Sequence, residues 1–579
     1  MPTYRSSKTM SKKGSEMEIV RRPETYDVVI IGSGAGGGMA AMVLTQGGLR
    51  CALLEAGPAI DPAVDYKEHA WPYDSMYRGW GPGYYYHTRP YLDEFNGHLA
   101  SWDLKGEPYV VDEGQNFRWL RARVLGGRTN IWARISLRFA PYDFKPYSTD
   151  GGGLDWPISY EDVAPYYDRV EQLIGVFGNR DGIPTLPDGN YMPPPAPRCH
   201  ERLVAKGCNK LGIPIIAMRN AILTQEHDGR PACHYCAHCT RGCITGSRFS
   251  SLQVLLPKAT NTGRLKLITN AMAREIVTDA EGRCTAVSYV DRTDRREYQL
   301  RARAVVVAGG ALESTRLLLN SRSPRFPNGL ANSSGVLGQC LSDSVGYIMR
   351  AYLPQLIGRK IENEDGIDDG HLIIPWWLQG VKGRDFRRGY HIELFGGPQM
   401  GGVTSNGAVT AAVYDGYGTE FKKHGREIFG NAFGLAGRGE MIPNRQSWIE
   451  IDPKTTDAYG IPVLRFHWQW GDEELAMVRH MERAFEEIID AAGGKVIDRQ
   501  KGISTGGEIL HELGTARMGS DPRTSVLNAY SQAHDVKNLF VVDGAAFSSN
   551  PEKNPTLTIL ALSMRASEYI LDQAKKGDL

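Results

Sequence analysis

Residues 27–55 confine the start of this chain to one kind of structure. Asp27-Val28-Val29-Ile30-Ile31 carries the β-branched run of a strand buried on both faces. Gly32-Ser33-Gly34-Ala35-Gly36-Gly37-Gly38 follows directly, and Met39–Gln46 reads as a helix. Gly32, Gly34 and Gly37 fill the three glycine positions of G-x-G-x-x-G. The first permits the tight turn, and the second lets backbone approach a pyrophosphate. The third lets the helix pack on the strand with its positive end toward the phosphates. A second strand, Cys51-Ala52-Leu53-Leu54, ends at Glu55, 18 residues past Gly37, where a carboxylate accepts hydrogen bonds from a ribose. Together these features predict a parallel α/β dinucleotide-binding unit. The alternative is a glycine-rich turn that holds no nucleotide.

The chain has 579 residues, too many for one hydrophobic core, so two or three domains are expected. A net charge of +1 gives no reason to expect nucleic acid or a strongly charged substrate. No apolar run is long enough to span a bilayer. Met1 to Arg22 is polar and basic and lacks the apolar segment of a signal peptide, so residues 1–24 read as a disordered tail. Pro141 to Pro197 reads as loop and linker around a helix near Tyr160–Ile174. From about Gly346 to Trp470, short alternating runs with glycine turns predict an antiparallel sheet. Asp472 to Ala492 predicts an amphipathic helix capped by Asp472, with Leu475, Val478, Phe485, Ile488 and Ile489 on its apolar face. Trp71, Tyr73, Tyr77, Trp80, Tyr84, Tyr85 and Tyr86, with Trp376-Trp377 further on, fit either a packed lid or a surface for sugar rings.

Nine cysteines in a chain of this length do not make a disulfide scaffold. Cys51, Cys199, Cys208, Cys284 and Cys340 are scattered and read as simple thiols. Cys233, Cys236, Cys239 and Cys243 form C-x2-C-x2-C-x3-C, and thiolates two or three residues apart can converge on one inorganic cluster. There is no second run, and Ile244 rather than proline follows the last cysteine. One iron–sulfur cluster is therefore expected, 4Fe–4S with four thiolates or 3Fe–4S with three. Zinc sites usually use two ligand pairs separated by a longer loop. Zinc and the absence of metal remain alternatives, and His234 and His238 could join either kind of site.

Three later regions decide which dinucleotide is meant. They are Val124-Leu125-Gly126-Gly127-Arg128-Thr129-Asn130-Ile131-Trp132, the strand–turn–helix Ala304–Leu318, and a C-terminal part. The last contains His511-Glu512-Leu513-Gly514-Thr515-Ala516-Arg517-Met518-Gly519, Asn538–Gly544 and Asn554-Pro555-Thr556-Leu557-Thr558. In this order, from Asp27 to about Ile570, the chain resembles the glucose–methanol–choline (GMC) oxidoreductases. The resemblance implies FAD. It implies a Rossmann-like FAD-binding domain assembled from residues 25–60, 110–140, 252–344 and 505–579. Residues 61–109, 141–251 and 345–504 would form an α+β substrate domain with an antiparallel sheet, a lid and the cysteine segment. It also implies cofactor contacts at Gly32, Gly34, Gly37, Glu55, Gly126, Gly127, Thr129, Asn130, Asp543, Gly544 and Thr556. Ile131 stands where members with covalent flavin carry a histidine, so the FAD is expected to be non-covalent.

Alcohol oxidation removes a hydroxyl proton and a carbon-bound hydride. The flavin accepts the hydride, and the protein supplies a base, for which histidine is suited. The resemblance assigns that base to His511 and the hydrogen-bonding partner of the substrate oxygen to Asn554. An amide can donate to an alkoxide without titrating. In the structural alternative His511 caps a turn, Asn554 starts a helix over Thr556–Leu571 with Pro555 in its first position, and Asp543-Gly544 is an ordinary strand-end turn. Within the family, the cysteine-bearing chain is similar to sugar dehydrogenases of the glucoside 3-dehydrogenase catalytic-subunit type. This implies oxidation of a sugar or glycoside ring hydroxyl to a keto group, with electrons leaving through the cluster to a cytochrome-type carrier. It also implies a small partner subunit that carries the export signal, and hence a periplasmic location; a cytoplasmic one is the alternative. The competing functions are a pyranose-oxidase-like enzyme that uses oxygen and an FAD-binding electron-transfer module without alcohol chemistry.

Overall fold

The computed structural model describes residues 19–70, 74, 96–360, 367, 369–397 and 416–579. The glycine turn is framed as its sequence requires, by a strand at Ile19–Ile31, a helix at Ala35–Gln46 and a strand at Cys51–Leu54. Ile31 lies opposite Leu54 on one side and Val307 on the other, both in parallel register. Among the described residues the sheet runs Leu265–Ile268, Cys51–Leu54, Ile19–Ile31, Glu297–Val307, Cys284–Asp291, Ala271–Thr278, and Leu539–Val541 also pairs with Glu297–Val307. Val28, Val29, Ile30, Val305, Val306 and Val307 have no exposed surface, which is why the run is apolar without alternation. Each such side chain contributes about 1.5–3 kcal/mol by leaving water. The C-terminal helix, Thr556–Lys576, closes over Ala35–Gln46, where the Ser563 hydroxyl donates to the Gly36 carbonyl at 2.7 Å.

The first strand begins earlier than the sequence reading allowed. Ile19, Val20 and Arg21 pair with Glu297, Tyr298 and Gln299, inside the segment expected to be a disordered tail. The long partner strand continues past the buried part of the sheet, and its backbone groups there need partners. Residues 1–18 lie outside the described residues.

The second layer is the expected antiparallel sheet, ordered Lys495–Arg499, Val345–Tyr352, Ala432–Gly439, Tyr390–Gly396, Asp369–Ile374, Ile216–Ala217. The helix Asp472–Ala491 packs on it through Met477, Met481 and Phe485, over Gly437 and Gly439. Two details of that helix differ from expectation. Gly471 occupies the cap position, with its N–H bonded to the Glu474 carboxylate at 2.9 Å, and Leu475 is exposed. The helix Tyr160–Ile174 forms as expected, opened by Ser159 and Asp162. In the sheet His391 pairs with Arg438 and Glu393 with Ala436. Alternation therefore places His391, Glu393 and Arg438 on one face, with a small residue opposite the carboxylate. The architecture is the expected one, a Rossmann-like α/β unit beside an α+β unit with an antiparallel sheet.

Candidate functional site

A single cavity runs from the glycine turn to the C-terminal loops. Gly32, Gly34, Glu55, Gly127, Thr129, Asp543, Gly544 and Thr556 line it, and so do His511 and Asn554. Gly37, Gly126 and Asn130 stand behind this wall. At Gly37 an added Cβ would lie 1.9 Å from the Gly32 carbonyl oxygen, so this position holds helix against turn. At Gly34 an added Cβ would meet nothing within 4 Å, because the position opens into the cavity. Gly34 is also the cap of the helix Ala35–Gln46 and offers no side chain to its first N–H groups. An uncapped helix start facing a cradle of backbone is a site for a pyrophosphate.

The polar residues around the cradle divide into those that brace it and those with bonding capacity left. Glu55 accepts from the Ser33 hydroxyl and N–H and from Gly57 N–H at 2.8 Å, and burial raises its pKa. Ser33 in turn accepts from Gly126 N–H at 2.8 Å, which ties the first glycine turn to the second loop. Thr129 donates to Gly126 O at 2.6 Å and accepts from Ser251 N–H at 2.9 Å. Asn130 donates to the carbonyls of Leu125 and Gly127 and accepts from the Tyr66 hydroxyl at 2.7 Å, so its side chain is spent on the loop. Asp543 accepts from Gly310 N–H and Ala545 N–H, each at 2.9 Å, and from the Ser314 hydroxyl. It is thus a strand-end cap as well as part of the wall. Toward the other end Glu512 Oε1 and Asn554 Oδ1 are buried without a hydrogen-bond partner. An open phosphate cradle and two orphaned acceptors along one wall fit FAD. Ile131 also lines the cavity and has no atom that can bond covalently to a flavin. Acid precipitation is therefore expected to leave all the flavin in the supernatant, as measured by absorbance; yellow colour in the washed pellet would contradict this.

His511 reaches the cavity on a loop held from below. Asp343 is buried and accepts from the N–H groups of His511 (2.9 Å), Ile509 (3.2 Å) and Ser344 (2.9 Å). Burial and the nearby Glu512 push Asp343 up to about 7. The Ser344 hydroxyl lies 2.8 Å from His511 Nδ1. An Nδ1–H donated to Ser344 leaves Nε2 free to accept a proton. Burial first, then Arg438, lowers His511 to about 3, so the imidazole is neutral at pH 7. Asn554 does not cap the C-terminal helix, because Pro555 holds that position. Its amide nitrogen donates instead to Glu393 Oε1 at 3.0 Å. Glu393 also meets Arg438 Nε at 3.2 Å and His391 Nε2 at 3.3 Å. Burial alone would raise its pKa, but Arg438, His391 and Asn554 outweigh this and hold it at about 2. Asp343, Ser344, Glu393 and Arg438 were absent from the sequence reading. Strand alternation placing Glu393 and His391 on one face is the signal that could have found Glu393.

The cysteine run lies on the far side of the second glycine loop. Cys239 and Cys243 are buried, Cys233 and Cys236 partly so, and none of the nine cysteines forms a disulfide. Burial pushes the Cys233 thiol up to about 11 and Cys236 to about 12. Thiolates there need a positive neighbour. Glu68 anchors the run by accepting from Ile244 N–H at 2.8 Å, and His238 Nδ1 lies 2.6 Å from the Glu68 carbonyl. Arg248, fully buried beside Cys239 and Cys243, donates to the Asn130 carbonyl, while its Nε and Nη1 have no partner. Among the described residues, the groups whose ligand atoms lie within 4.8 Å of one another are Glu68–His69–His234 and Asp143–Glu440–Glu552. Neither contains the sulfurs. A single tetrahedral zinc would need sulfurs about 3.8 Å apart, from bonds of about 2.3 Å. Trp376 is buried against Phe386 and Tyr390, away from the cavity, so it packs the core there. The stretch from Trp71 to Tyr86 lies outside the described residues.

Known proteins resemble this chain along most of its length. Two family models described as GMC oxidoreductase match residues 26–344 and 443–563. A 2-methyl-1,2-propanediol dehydrogenase of Mycolicibacterium austroafricanum is 31% identical over 94% of this chain and 95% of its own. A fructose dehydrogenase large subunit of Gluconobacter japonicus is 29% identical over 95% and 98%. Among solved structures, pyridoxine 4-oxidase from Mesorbium loti shares the fold, with a TM-score of 0.61 at 17% identity over 94% of this chain and 98% of that one.

Proposed function

This chain belongs to the GMC oxidoreductase family, FAD enzymes that oxidise alcohol groups, and on that premise we propose that it oxidises a ring hydroxyl of a sugar or glycoside to a keto group. The observation that carries the proposal is the placement of His511 and Asn554 in the cavity that the dinucleotide turn opens. FAD, when bound, supplies the acceptor for the carbon-bound hydride. The chain's residues handle the proton and the oxygen. Neutral His511 takes the hydroxyl proton, and the Ser344 hydroxyl holds its ring. The second N–H of the Asn554 amide donates to the oxygen as negative charge gathers there. Backbone bonds to Asp343 fix the loop against the sheet, so the base does not wander from the oxygen. The alcohol becomes a carbonyl and loses one proton and one hydride. The similarity to a fructose dehydrogenase large subunit supports a sugar as substrate and a multi-subunit assembly. Oxidation at carbon 3 rests only on the earlier resemblance.

Cys233, Cys236, Cys239 and Cys243 fit an iron–sulfur cluster in this reading. Their thiolates need positive charge, and Arg248 supplies part of it while touching the loop that lines the flavin cavity. Such a cluster passes electrons singly to a carrier rather than to oxygen. A small partner subunit, and export to the periplasm with it, follow from the same reading.

Anaerobically purified protein should contain three to four irons per chain. Substrate should elicit an electron paramagnetic resonance signal from the cluster. Cys239→Ser should abolish that signal and dye reduction while the flavin is still reduced by substrate. Protein free of iron that makes peroxide as fast as it consumes sugar would favour the oxidase instead.

A further inference from the structure

Glu393 is a buried carboxylate on the wall of the reaction cavity, and the steps described above leave it unused. It reaches the cavity from the antiparallel sheet, 161 residues from Asn554 in sequence. Two groups hydrogen-bond to it, and a third pairs with it by charge. Oε1 accepts from Asn554 Nδ2 at 3.0 Å and from His391 Nε2 at 3.3 Å, and Oε2 meets Arg438 Nε at 3.2 Å. A carboxylate accepts about four hydrogen bonds, so accepting capacity is left, and the residue lines the cavity with 8% of its surface exposed. Ala436 lies opposite Glu393 in the sheet and leaves the space above it clear of side-chain bulk.

Two consequences follow from a charged acceptor at this position. First, a carboxylate bonds only the nitrogen end of an amide, so Glu393 fixes which end of Asn554 faces which way and orients its second N–H. Second, the remaining lone pair of an ionised acceptor beside the reacting oxygen suits a hydroxyl donor. It repels anions and gains nothing from an alkyl group.

We propose that Glu393, braced by Arg438 and His391, binds a second hydroxyl of the substrate on the carbon next to the one oxidised, so that the site selects vicinal diols and polyols over simple alcohols. The proposal rests on the assignment of His511 and Asn554 as the groups that hold the reacting oxygen. A site built around a hydroxyl donor discriminates strongly against an analogue that lacks it, because the buried acceptor is then left unpaired.

The test uses the FAD-loaded protein and two probes that differ by one hydroxyl, 1,2-propanediol and 2-propanol. Stopped-flow measurement of anaerobic flavin reduction gives the ratio of their rate constants. In E393L the preference for the diol should fall by about 10- to 100-fold, and in E393Q, whose amide oxygen still accepts, by less. The acid limb of the pH profile should move in both, because the charge facing His511 is gone. Glycerol titrated against the flavin absorbance supplies a second readout that needs no turnover; its affinity should fall in E393L by a similar factor. An unchanged diol preference and unchanged glycerol affinity in flavin-loaded E393L would overturn the proposal, as would an equal loss for both alcohols. Failure of the underlying assignment looks different: His511→Ala would then reduce its flavin as fast as the parent.

Discussion

Replacing His511 with alanine is expected to lower the rate of flavin reduction by substrate by about two to four orders of magnitude, with the flavin still bound. His511 belongs to the reaction end of the cavity, so its loss leaves the phosphate cradle intact. The pH dependence carries a sign as well. Burial and Arg438 bring the folded imidazole from its ordinary 6.5 down to about 3. The proton-accepting form is therefore present throughout the neutral range, and the acid limb set by His511 lies far below 6.5. Burial and Glu512 push Asp343, under the His511 loop, up to about 7. The same shift couples to stability. A base whose folded pKa lies below its unfolded one contributes stability above pH 6.5 that is lost as pH falls from 6.5 toward 3. Rapid-mixing kinetics from pH 4 to 9, on parent and His511→Ala, measure the rate loss and should show no limb near 6.5 from His511. Near-parental reduction by flavin-loaded His511→Ala would remove the residue from the mechanism.

Gly37→Ala and Gly34→Ala should fail in different ways, although both add one methyl to the same turn. The Gly37 methyl would lie 1.9 Å from a backbone carbonyl at the end of the central strand, where no flexible side chain can yield. Overpacking of this kind costs about 1–3 kcal/mol and sometimes more. Displacing a helix from the central sheet places this case at the upper end, so the variant is expected to lose several degrees of Tm and all flavin. At Gly34 the backbone already has φ −67°, which alanine adopts freely, and the methyl points into open cavity. That protein should fold like the parent in circular dichroism yet retain about tenfold less flavin, because the methyl occupies the path of the pyrophosphate. Equal flavin content in Gly34→Ala and parent would place the dinucleotide elsewhere.

These contrasts mark how far the chain could be read without its structure. The turn at Gly32–Gly37 was legible because its chemistry is local: glycines, helix and acid lie within thirty residues of each other. The motifs around His511 and Asn554 marked both residues for the cavity, which they line, and Pro555 at the head of the helix removes the capping alternative for Asn554. Their supports were not legible. Ser344 lies 167 residues from His511, and Glu393 lies 161 from Asn554, so only the sheet register brings them in. The start of the first strand was misread because its partner, Glu297–Gln299, is remote and the segment alone is polar and basic. For Trp376 the sequence left packing and a sugar surface both open, and the structure packs it on Phe386 and Tyr390. Asn130 lies in a flavin-loop motif, yet its side chain serves the loop itself.

The central claim is that this cavity brings a polyol hydroxyl to His511 and Asn554 beside bound FAD. Anaerobic titration of the purified flavoprotein with fructose, glucose and a set of glycosides, followed by flavin absorbance, tests it most directly. At least one of these compounds, added in excess, should bleach the flavin completely, and the His511→Ala protein should stay oxidised over the same interval. A flavin that remains oxidised with every sugar and polyol, in protein shown to hold a full complement of FAD, would contradict the account.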